Sequence, residues 1–310
     1  MRKLTALTFV ILIATAPAVA SYDAGVKALH RADYTSAAIV FSAAAARGDA
    51  RAEIELAKLL LAGKGVRRDT DRARMLFRRA AAKLARAAAS GHSEARYQLA
   101  GLYRLGYGVR RNPARALEMI RSAARDGHAA AIYKLAVYNE WGVGIARAPN
   151  TARLLYRRAA DKGSIKARIM LAARHMNGTY ERFDRGQAIE YLEWAARDGS
   201  PADQLAVARW YSMKIFGDQG KRSALRLTRL AAQRGHLDAQ AKLAKLYRTG
   251  SGGVTRNPVR AYVWGRLAVG RTSRGAPVSL ATGGGDARLN LSAAQRASAE
   301  AWLRNWRAKP

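Results

Sequence analysis

The fold is indicated most clearly by residues 91–127, which read GHSEARYQLAGLYRLGYGVRRNPARALEMIRSAARDG. Small and apolar residues recur every four positions in the first half, so they share one face of a helix. A glycine pair then interrupts this helix, because glycine adopts backbone conformations that other residues resist. A second periodic stretch ends in two alanines, where helices can approach closely. The segment therefore predicts a helix–turn–helix unit. Its key positions are Ala95, Leu99, Tyr103, Gly106, Gly108, Ala123 and Ala124.

The same pattern recurs along the chain at a nearly fixed period. The last four intervals between the opening glycines are each 36 residues, and the first is 43, longer by about two helical turns. A period of this size predicts a stacked repeat array, whose usual work is binding, because stacked units present long surfaces. We number the units one to six from their opening glycines, with unit six ending at residue 270. These glycines are Gly48, Gly91, Gly127, Gly163, Gly199 and Gly235.

This pattern resembles the Sel1-like repeat family, which is related to the tetratricopeptide arrays and has a slightly longer unit. Residues 91–127 carry the resemblance, together with residues 235–264, which read GHLDAQAKLAKLYRTGSGGVTRNPVRAYVW. The resemblance extends over residues 48–270, the six units. It implies an all-α fold, a right-handed α-solenoid of helix–turn–helix repeats. It also implies an adaptor or scaffold function, and bacterial members of the family are often exported.

Units four and five depart from the pattern at the turn between their helices. Tyr180 replaces the second turn glycine of unit four, and Lys214 and Phe216 replace both glycines of unit five. Aromatic anchors dominate the binding energy of many protein interfaces. One interpretation therefore makes the turn of unit five a docking point for a partner, through Trp210, Ile215 and Phe216. The alternative is that these side chains pack beneath a reshaped loop.

Each end of the array needs a cap, because a terminal unit exposes a face that is built for a neighbour. Residues 21–47 predict two N-terminal capping helices. Residues 271–291 lose the periodicity and include three consecutive glycines, which predicts a linker. Residues 292–310 predict a closing helix, because Ser292 and Gln295 form a capping-box pattern. Its apolar face comprises Ala299, Trp302, Leu303 and Trp306.

Residues 1–20 have the pattern of a secretory signal peptide. Arg2 and Lys3 give a positive start, residues 4–14 are apolar, and small residues lead to Ala20. We expect cleavage after Ala20 and a periplasmic or secreted protein. The apolar run is too short to span a membrane, and no membrane-spanning segment is expected in the rest of the chain. The chain has no cysteine, so the cysteine-stapled repeats of some exported Sel1-like proteins have no counterpart here.

Charge is the second informative feature of the chain. It has 55 Lys and Arg residues against 22 Asp and Glu residues, a net charge of +33. An arginine recurs two positions before the alanine near the end of the second helix of nearly every unit, and Glu193 alone interrupts the series. Stacking would align these residues as a ladder, which suits an anionic partner such as an acidic exopolysaccharide. The ladder arginines are Arg78, Arg121, Arg157, Arg229 and Arg266.

Two further interpretations of the arginines stay open beside polysaccharide binding. A basic stripe also fits the phosphates of nucleic acid, but the export signal argues against that partner. A compositional bias toward alanine and arginine would place the same residues on an ordinary solvated helix face.

Catalysis is not expected from this sequence. His92, His128 and His236 occupy the same position just after a unit glycine, as helix-start residues do and a catalytic residue does not. The chain has no zinc-binding His-Glu-x-x-His pattern, no nucleophile elbow and no phosphate loop, so we expect no cofactor or metal. Glu190 and Glu193 share a helix face but form no convincing acid–base pair.

The sequence thus predicts a non-enzymatic, exported repeat scaffold that mediates protein–protein interactions in an envelope assembly or signalling complex. The alternative function is direct binding of an anionic envelope polymer, an acidic exopolysaccharide or a wall component, through the arginine ladder. Salt separates the two functions, because binding through exposed charges weakens as ionic strength rises.

Overall fold

The computed structural model describes residues 21–30, 33–179, 183–268 and 289–306. All regular structure in these residues is helical, and they contain no strand. The α-helices of this part of the chain are α1 (Tyr22–His30), α2 (Tyr34–Ala46), α3 (Ala50–Ala62), α4 (Thr70–Ala89), α5 (Ser93–Leu105), α6 (Pro113–Arg125), α7 (Ala129–Trp141), α8 (Pro149–Asp161), α9 (Ile165–Met176), α10 (Arg185–Asp198), α11 (Pro201–Tyr211), α12 (Gly217–Gln233), α13 (Leu237–Thr249), α14 (Pro258–Ala268) and α15 (Ala293–Asn305).

The helices pair into hairpins, and the hairpins stack on one another. Within the units, α3 packs against α4, α5 against α6, and so on to α13 and α14. The second helix of each unit also packs against the first helix of the next unit. Contacts therefore join neighbours in sequence from α1 to α15, which is the arrangement of a solenoid. The predicted all-α solenoid of helix–turn–helix repeats is confirmed.

The second helices place a pair of alanines in the core of the array. Every alanine of these pairs is at most 4% exposed. A methyl side chain leaves little space between the packed helices, so their backbones can approach closely at these points. Larger side chains from the first helices, including Leu99, Leu171 and Leu243, fill the core around them. The pairs are Ala44 and Ala45, Ala80 and Ala81, Ala123 and Ala124, Ala159 and Ala160, Ala195 and Ala196, and Ala231 and Ala232.

The turn of unit two shows why the pattern requires two glycines. Gly106 ends α5 in the left-handed conformation, with a φ of 76°, and its N–H donates to the Leu102 carbonyl. Gly108 also has a positive φ, of 70°. A β-carbon at Gly108 would lie 2.3 Å from the backbone carbonyl carbon of Phe77 in α4. Glycine at this position therefore lets the turn rest directly on the preceding unit.

The turns of units four and five follow other paths. In unit four, Asn177 is the C-cap residue of α9, and Tyr180 lies outside the described residues. In unit five, a short 3-10 turn spans Lys214–Phe216 and leads directly into α12. A β-carbon at Gly220 of α12 would lie 2.2 Å from Cβ of Phe216. It would also lie 2.5 Å from the Tyr211 carbonyl oxygen, so the displaced glycine of unit five makes room for both an aromatic residue and the end of α11.

Helices pack against both ends of the array. α1 and α2 precede unit one, and the Asp33 side chain caps α2 by accepting a hydrogen bond from a backbone N–H. At the other end α15 packs against α14, and the Trp264 and Trp302 rings make an edge-on contact at 5.9 Å. The predicted capping box at Ser292 is present. The predicted signal peptide and most of the predicted linker lie outside the described residues, and the division of the chain into these segments stays a prediction.

Candidate interaction surfaces

The five predicted ladder arginines occupy one position in the second helices of their units. Each lies two residues before the alanines that end the helix core, on α4, α6, α8, α12 and α14. Arg78, Arg121 and Arg266 are exposed, whereas Arg157 and Arg229 are partly buried. The common register is therefore present, but two of the five side chains offer a partner less of their surface.

The ladder position contacts the next unit through a tyrosine near the end of its first helix. Glu193 of α10 accepts a hydrogen bond from the Tyr211 hydroxyl at 2.8 Å, and Arg226 pairs with the same carboxylate at 3.2 Å. One unit later, Arg229 donates to the Tyr247 hydroxyl at 3.2 Å. Burial, followed by the hydrogen bond to Glu193, raises the pKa of Tyr211. Periodicity alone placed such tyrosines in the apolar stripe and missed these polar contacts.

A groove of about 540 Å³ lies beside Arg229. Arg222, Arg226 and Arg229 line it from one face of α12, because they are four and three residues apart on the helix. The turn of unit six closes the groove at Gly253. A larger cavity, of about 1020 Å³, lies between α2, α3 and the turn of unit one, with Ile39 among its lining residues. Both cavities lie where a second helix meets the turn of the following unit.

The turn of unit five divides the three predicted docking residues. Phe216 is 2% exposed and packs edge-on against Tyr211, with ring centroids 5.2 Å apart. Trp210 is partly buried against the surrounding core. Ile215 is 37% exposed and Met213 is 46% exposed. Phe216 is therefore not accessible to a partner and stabilises the turn from within, as the packing interpretation proposed, while Ile215 and Met213 form the exposed apolar surface.

A family model described as "Sel1 repeat" matches the chain over residues 50–83, 93–128, 129–164, 165–200 and 237–269. These segments make up more than half of the chain. The chain belongs to the Sel1 repeat family. Sel1 repeat proteins are typically scaffolds for protein–protein interaction and are generally not enzymes, so membership implies protein partners. The matched segments leave out residues 201–236, which form the unit with the irregular turn.

Three solved structures resemble this Sel1 repeat chain, and each shows the fold alone because its identity is below 25%. A Sel1 repeat protein from Oxalobacter formigenes is 22% identical, with 80% of this chain and 98% of that chain covered and a TM-score of 0.50.

The second structure is c5321, a protective antigen of uropathogenic Escherichia coli with an SLR fold. It is 24% identical, with a TM-score of 0.51, and the match covers 91% of this chain but only 60% of that chain. The third is the immunity protein Pa5087 from Pseudomonas aeruginosa, 19% identical, with 71% and 81% covered and a TM-score of 0.50. No curated protein sequence matches the chain.

A polar position that sequence analysis missed links neighbouring Sel1 units. It lies in the first turn of the first helix, five residues after the unit glycine. Arg168 Nε donates to the Ala160 carbonyl at 3.3 Å, and Gln240 Nε2 donates to the Ala232 carbonyl at 3.1 Å. Both carbonyls belong to the end of the preceding second helix. The sequence signal was a recurrent polar residue beside the apolar stripe, namely Glu53, Arg96, Arg168, Gln204 and Gln240.

Two buried carboxylates of the Sel1 units also have structural partners. Glu140, which is 5% exposed, accepts a hydrogen bond from the Tyr156 hydroxyl at 2.7 Å and pairs with Arg174 at 2.5 Å. Glu53 is fully buried, and one of its oxygens accepts from Arg79 and Lys83, at 2.5 and 2.6 Å. Each of these contacts joins different helices of the array and therefore helps to hold the stack together.

The histidines at the starts of the first helices cap them as expected in two of the three cases. Nδ1 of His128 accepts from the Ala131 N–H at 3.1 Å, and Nδ1 of His236 accepts from the Ala239 N–H at 3.4 Å. His92 makes no side-chain cap of this kind. Burial lowers the pKa of His236, which favours the neutral ring that can accept the hydrogen bond.

In the part of the chain that the structure describes, no group of three or more His, Asp or Glu side chains is arranged to hold a metal ion. Over the same residues, no helix combines the length and the apolar character that a bilayer-crossing segment requires.

Proposed function

We propose that this Sel1 repeat chain is a non-enzymatic scaffold that binds protein partners of the cell envelope, in an assembly or a signalling complex. The observation that carries the proposal is the arginine that recurs at one position of five stacked units, next to a groove lined by three arginines of α12. A stack of this kind gives a partner several points of contact at fixed spacing. Its charge favours partners with acidic surfaces.

The envelope location rests on residues 1–20, whose sequence has the pattern of an export signal. Its test is independent of binding. Fractionation of cells that produce the full chain should place the mature protein outside the cytoplasm, and its N-terminal sequence should begin at Ser21. A cytoplasmic protein that keeps residues 1–20 would contradict the location and leave the scaffold function standing.

A second candidate function is direct binding of an anionic envelope polymer through the ladder arginines. The exposure of Arg78, Arg121 and Arg266 supports it, because exposed cations at the same position of several second helices suit a long polyanion. Such binding would depend steeply on salt, since exposed charges are screened over about 8 Å at physiological ionic strength.

The deciding experiment captures envelope components on the purified chain at low and at high salt. Each captured protein is then purified, and its affinity for the chain is measured. A defined protein that binds directly and survives high salt supports the scaffold. Polysaccharide alone, lost at high salt, supports the polymer function. Failure of both fractions to bind contradicts both proposals.

A variant with Arg78, Arg121 and Arg266 all changed to glutamate sharpens this result. These three side chains are exposed, so their replacement should leave the fold intact, which a helical circular dichroism spectrum checks. Polymer binding through the ladder should be abolished in this variant. A protein partner that docks at the groove of α12, whose arginines this variant keeps, should bind with its affinity changed by only about twofold, the effect of altered long-range attraction.

A further inference from the structure

The Tyr247 hydroxyl lies between two arginines at the joint of units five and six. Arg229 Nη2 donates to it at 3.2 Å, and Arg260 Nη1 donates to it at 3.4 Å. The Arg260 guanidinium also lies over the tyrosine ring, 5.5 Å from its centroid. Tyr247 is only 5% exposed. Two cations thus converge on one buried hydroxyl group.

Both hydrogen bonds that the structure describes at this hydroxyl are ones that its oxygen accepts. A tyrosine hydroxyl has two lone pairs and one proton, and the two guanidinium groups use the lone pairs. Among residues 21–30, 33–179, 183–268 and 289–306, no group accepts a hydrogen bond from the Tyr247 O–H. A buried donor without a partner is costly. Within the described residues, the joint therefore places a hydroxyl group between two cations, with no carboxylate hydrogen-bonded to it.

The preceding joint shows which group completes such an arrangement. Tyr211 precedes Tyr247 by one 36-residue period, and its hydroxyl donates to the Glu193 carboxylate at 2.8 Å. Arg226 donates to both oxygens of that carboxylate, at 3.4 and 3.2 Å. Glu193 occupies the ladder position that Arg229 occupies one period later. The chain supplies a carboxylate at one joint and replaces it with an arginine at the next.

A groove borders this joint at Arg229, which lines the groove and also donates to the Tyr247 hydroxyl, whereas Tyr247 is not one of the lining residues. Arg222, Arg226 and Arg229 line it, and only Arg226 has a carboxylate partner, Glu193, among the described residues. Leu225 lines the same groove and offers apolar contact. A volume of about 540 Å³ suits a few residues of a peptide, because ligand sites typically measure about 300 to 1,000 Å³.

We propose that the groove at the joint of units five and six binds a side-chain carboxylate of an acidic peptide segment on a protein partner. Arg222 and Arg229 bind the carboxylate as paired donors, since a guanidinium matches carboxylate geometry. The Tyr247 hydroxyl accepts a hydrogen bond from Arg229 and thereby positions that guanidinium beside the groove. This inference rests on the proposed scaffold function and assigns that function a specific contact.

The test measures the affinity of a fluorescent ten-residue peptide of alternating Glu and Leu for the full purified chain, by anisotropy at fixed ionic strength. The variant with Arg222→Gln and Arg229→Gln should bind at least about tenfold more weakly, because charge-assisted hydrogen bonds are the strong ones. Tyr247→Phe keeps the ring but removes the hydroxyl that positions Arg229, and it should weaken binding about three- to tenfold. A peptide with Gln in place of Glu should bind the wild-type chain no more tightly than the Glu peptide binds the double variant.

The matched control changes Arg86 and Arg110 to glutamine. Both are exposed and lie outside the groove, and the net charge changes by the same amount. This control should change the affinity less than about twofold. Equal losses in the control and the groove variant would overturn the site and indicate attraction by net charge alone. Polygalacturonate, used in place of the peptide, tests whether the carboxylate comes from a polysaccharide. If this polymer binds the groove more tightly than the peptide does, the peptide assignment is overturned.

The experiments distinguish a wrong groove site from a wrong scaffold function. If a purified envelope partner binds the groove variant and the wild-type chain with equal affinity, the result contradicts the site and supports the scaffold function. Groove-dependent binding of the peptide, without any protein partner in the envelope, would keep the site and contradict the scaffold. Tyr247→Phe and the double variant should both retain the helical circular dichroism spectrum of the wild-type chain.

Discussion

Units two and five close the same helix hairpin in two different ways. In unit two, Gly106 and Gly108 shape the backbone so that the turn rests on α4. In unit five, neither glycine is present, and a buried Phe216 fills the turn while Gly220 gives it room. The family model matches unit two and leaves unit five out. Each unit therefore needs a packed turn between its two helices. Glycines that shape the backbone provide it in unit two, and a buried aromatic side chain provides it in unit five.

The largest expected effect comes from removing the buried aromatic side chain in the turn of unit five. Phe216→Ala should lower the free energy of unfolding by about 3 to 5 kcal/mol, because a fully buried aromatic side chain leaves a cavity. Urea denaturation measures the loss. Hydrogen exchange should show that it is concentrated in α11 and α12, since repeat arrays respond locally.

Ile215→Ala is the matched control for this change. Ile215 is a neighbour in the same turn but is 37% exposed, so its replacement should cost at most about 0.5 kcal/mol. Equal losses for the two variants would contradict a structural role that is specific to Phe216.

The second effect tests the requirement for glycine in the turn of unit two. Gly108→Ala introduces a β-carbon 2.3 Å from the Phe77 backbone at a φ of 70°. The loss should be about 3 kcal/mol, the sum of a left-handed backbone penalty and overpacking. Thermal or urea unfolding of the purified chain provides the measurement.

Gly144 of unit three separates the two parts of that loss. Its φ is 69°, and a β-carbon there would have no neighbour within 4 Å. Gly144→Ala should therefore cost only the backbone penalty, about 1 kcal/mol. If the two alanine variants lose the same stability, the close approach of the turn to α4 does not matter and the comparison fails.

The sequence predicted the helices, their pairing and the position of the turns, because these depend on periodic apolar residues and glycines. It left docking and packing open for Phe216, and the 2% exposure of this residue agrees with packing. The sequence could not decide between them, since burial depends on the path of a turn that has no local signature. The repeat pattern placed Tyr247, the counterpart of Tyr103 in unit six, among the apolar positions. Its polar contacts were missed because the two arginines near its hydroxyl come from α12 and α14. Contacts between units, unlike contacts within a helix, depend on the geometry of the stack.

The third effect concerns the polar link at the start of the first helix. Arg96 of unit two and Gln204 of unit five both donate to a carbonyl of the preceding helix, at 3.2 and 3.3 Å. Arg96 additionally pairs with Asp126. Arg96→Gln gives unit two the link of unit five and should cost about 0.5 to 1 kcal/mol, the value of a partly exposed ion pair.

Salt and an apolar variant check this assignment. The difference in unfolding free energy between wild type and Arg96→Gln should shrink in high salt, because the ion pair with Asp126 is screened. Arg96→Leu should cost more than Arg96→Gln, since it also leaves the Ala88 carbonyl without its side-chain donor. A leucine variant as stable as the glutamine variant would show that the carbonyl contact contributes nothing.

The smallest expected effect is a dependence on pH at the start of unit six. Unit five begins with Ser200 in a capping box, whereas unit six begins with His236, whose ring accepts from the Ala239 N–H. Burial lowers the pKa of His236 below its ordinary value of 6.5. The folded chain therefore binds this proton less readily than the unfolded chain, and the contribution to stability is complete above pH 6.5 and lost as the pH falls through the lowered pKa.

His236→Ser should remove this part of the pH dependence while keeping a cap, because serine is a preferred N-cap residue. Unfolding free energies at pH 7.5 and pH 5 should differ by about 0.5 to 1 kcal/mol less in the variant than in the wild type. Asp238→Asn should act in the opposite direction, since the nearby Asp238 charge opposes the lowering of the His236 pKa. If neither variant alters the difference between the two pH values, the cap of unit six is independent of the charge on His236. In that case, the two ways of starting a unit respond alike to pH, although the two ways of closing its turn differ in what holds them.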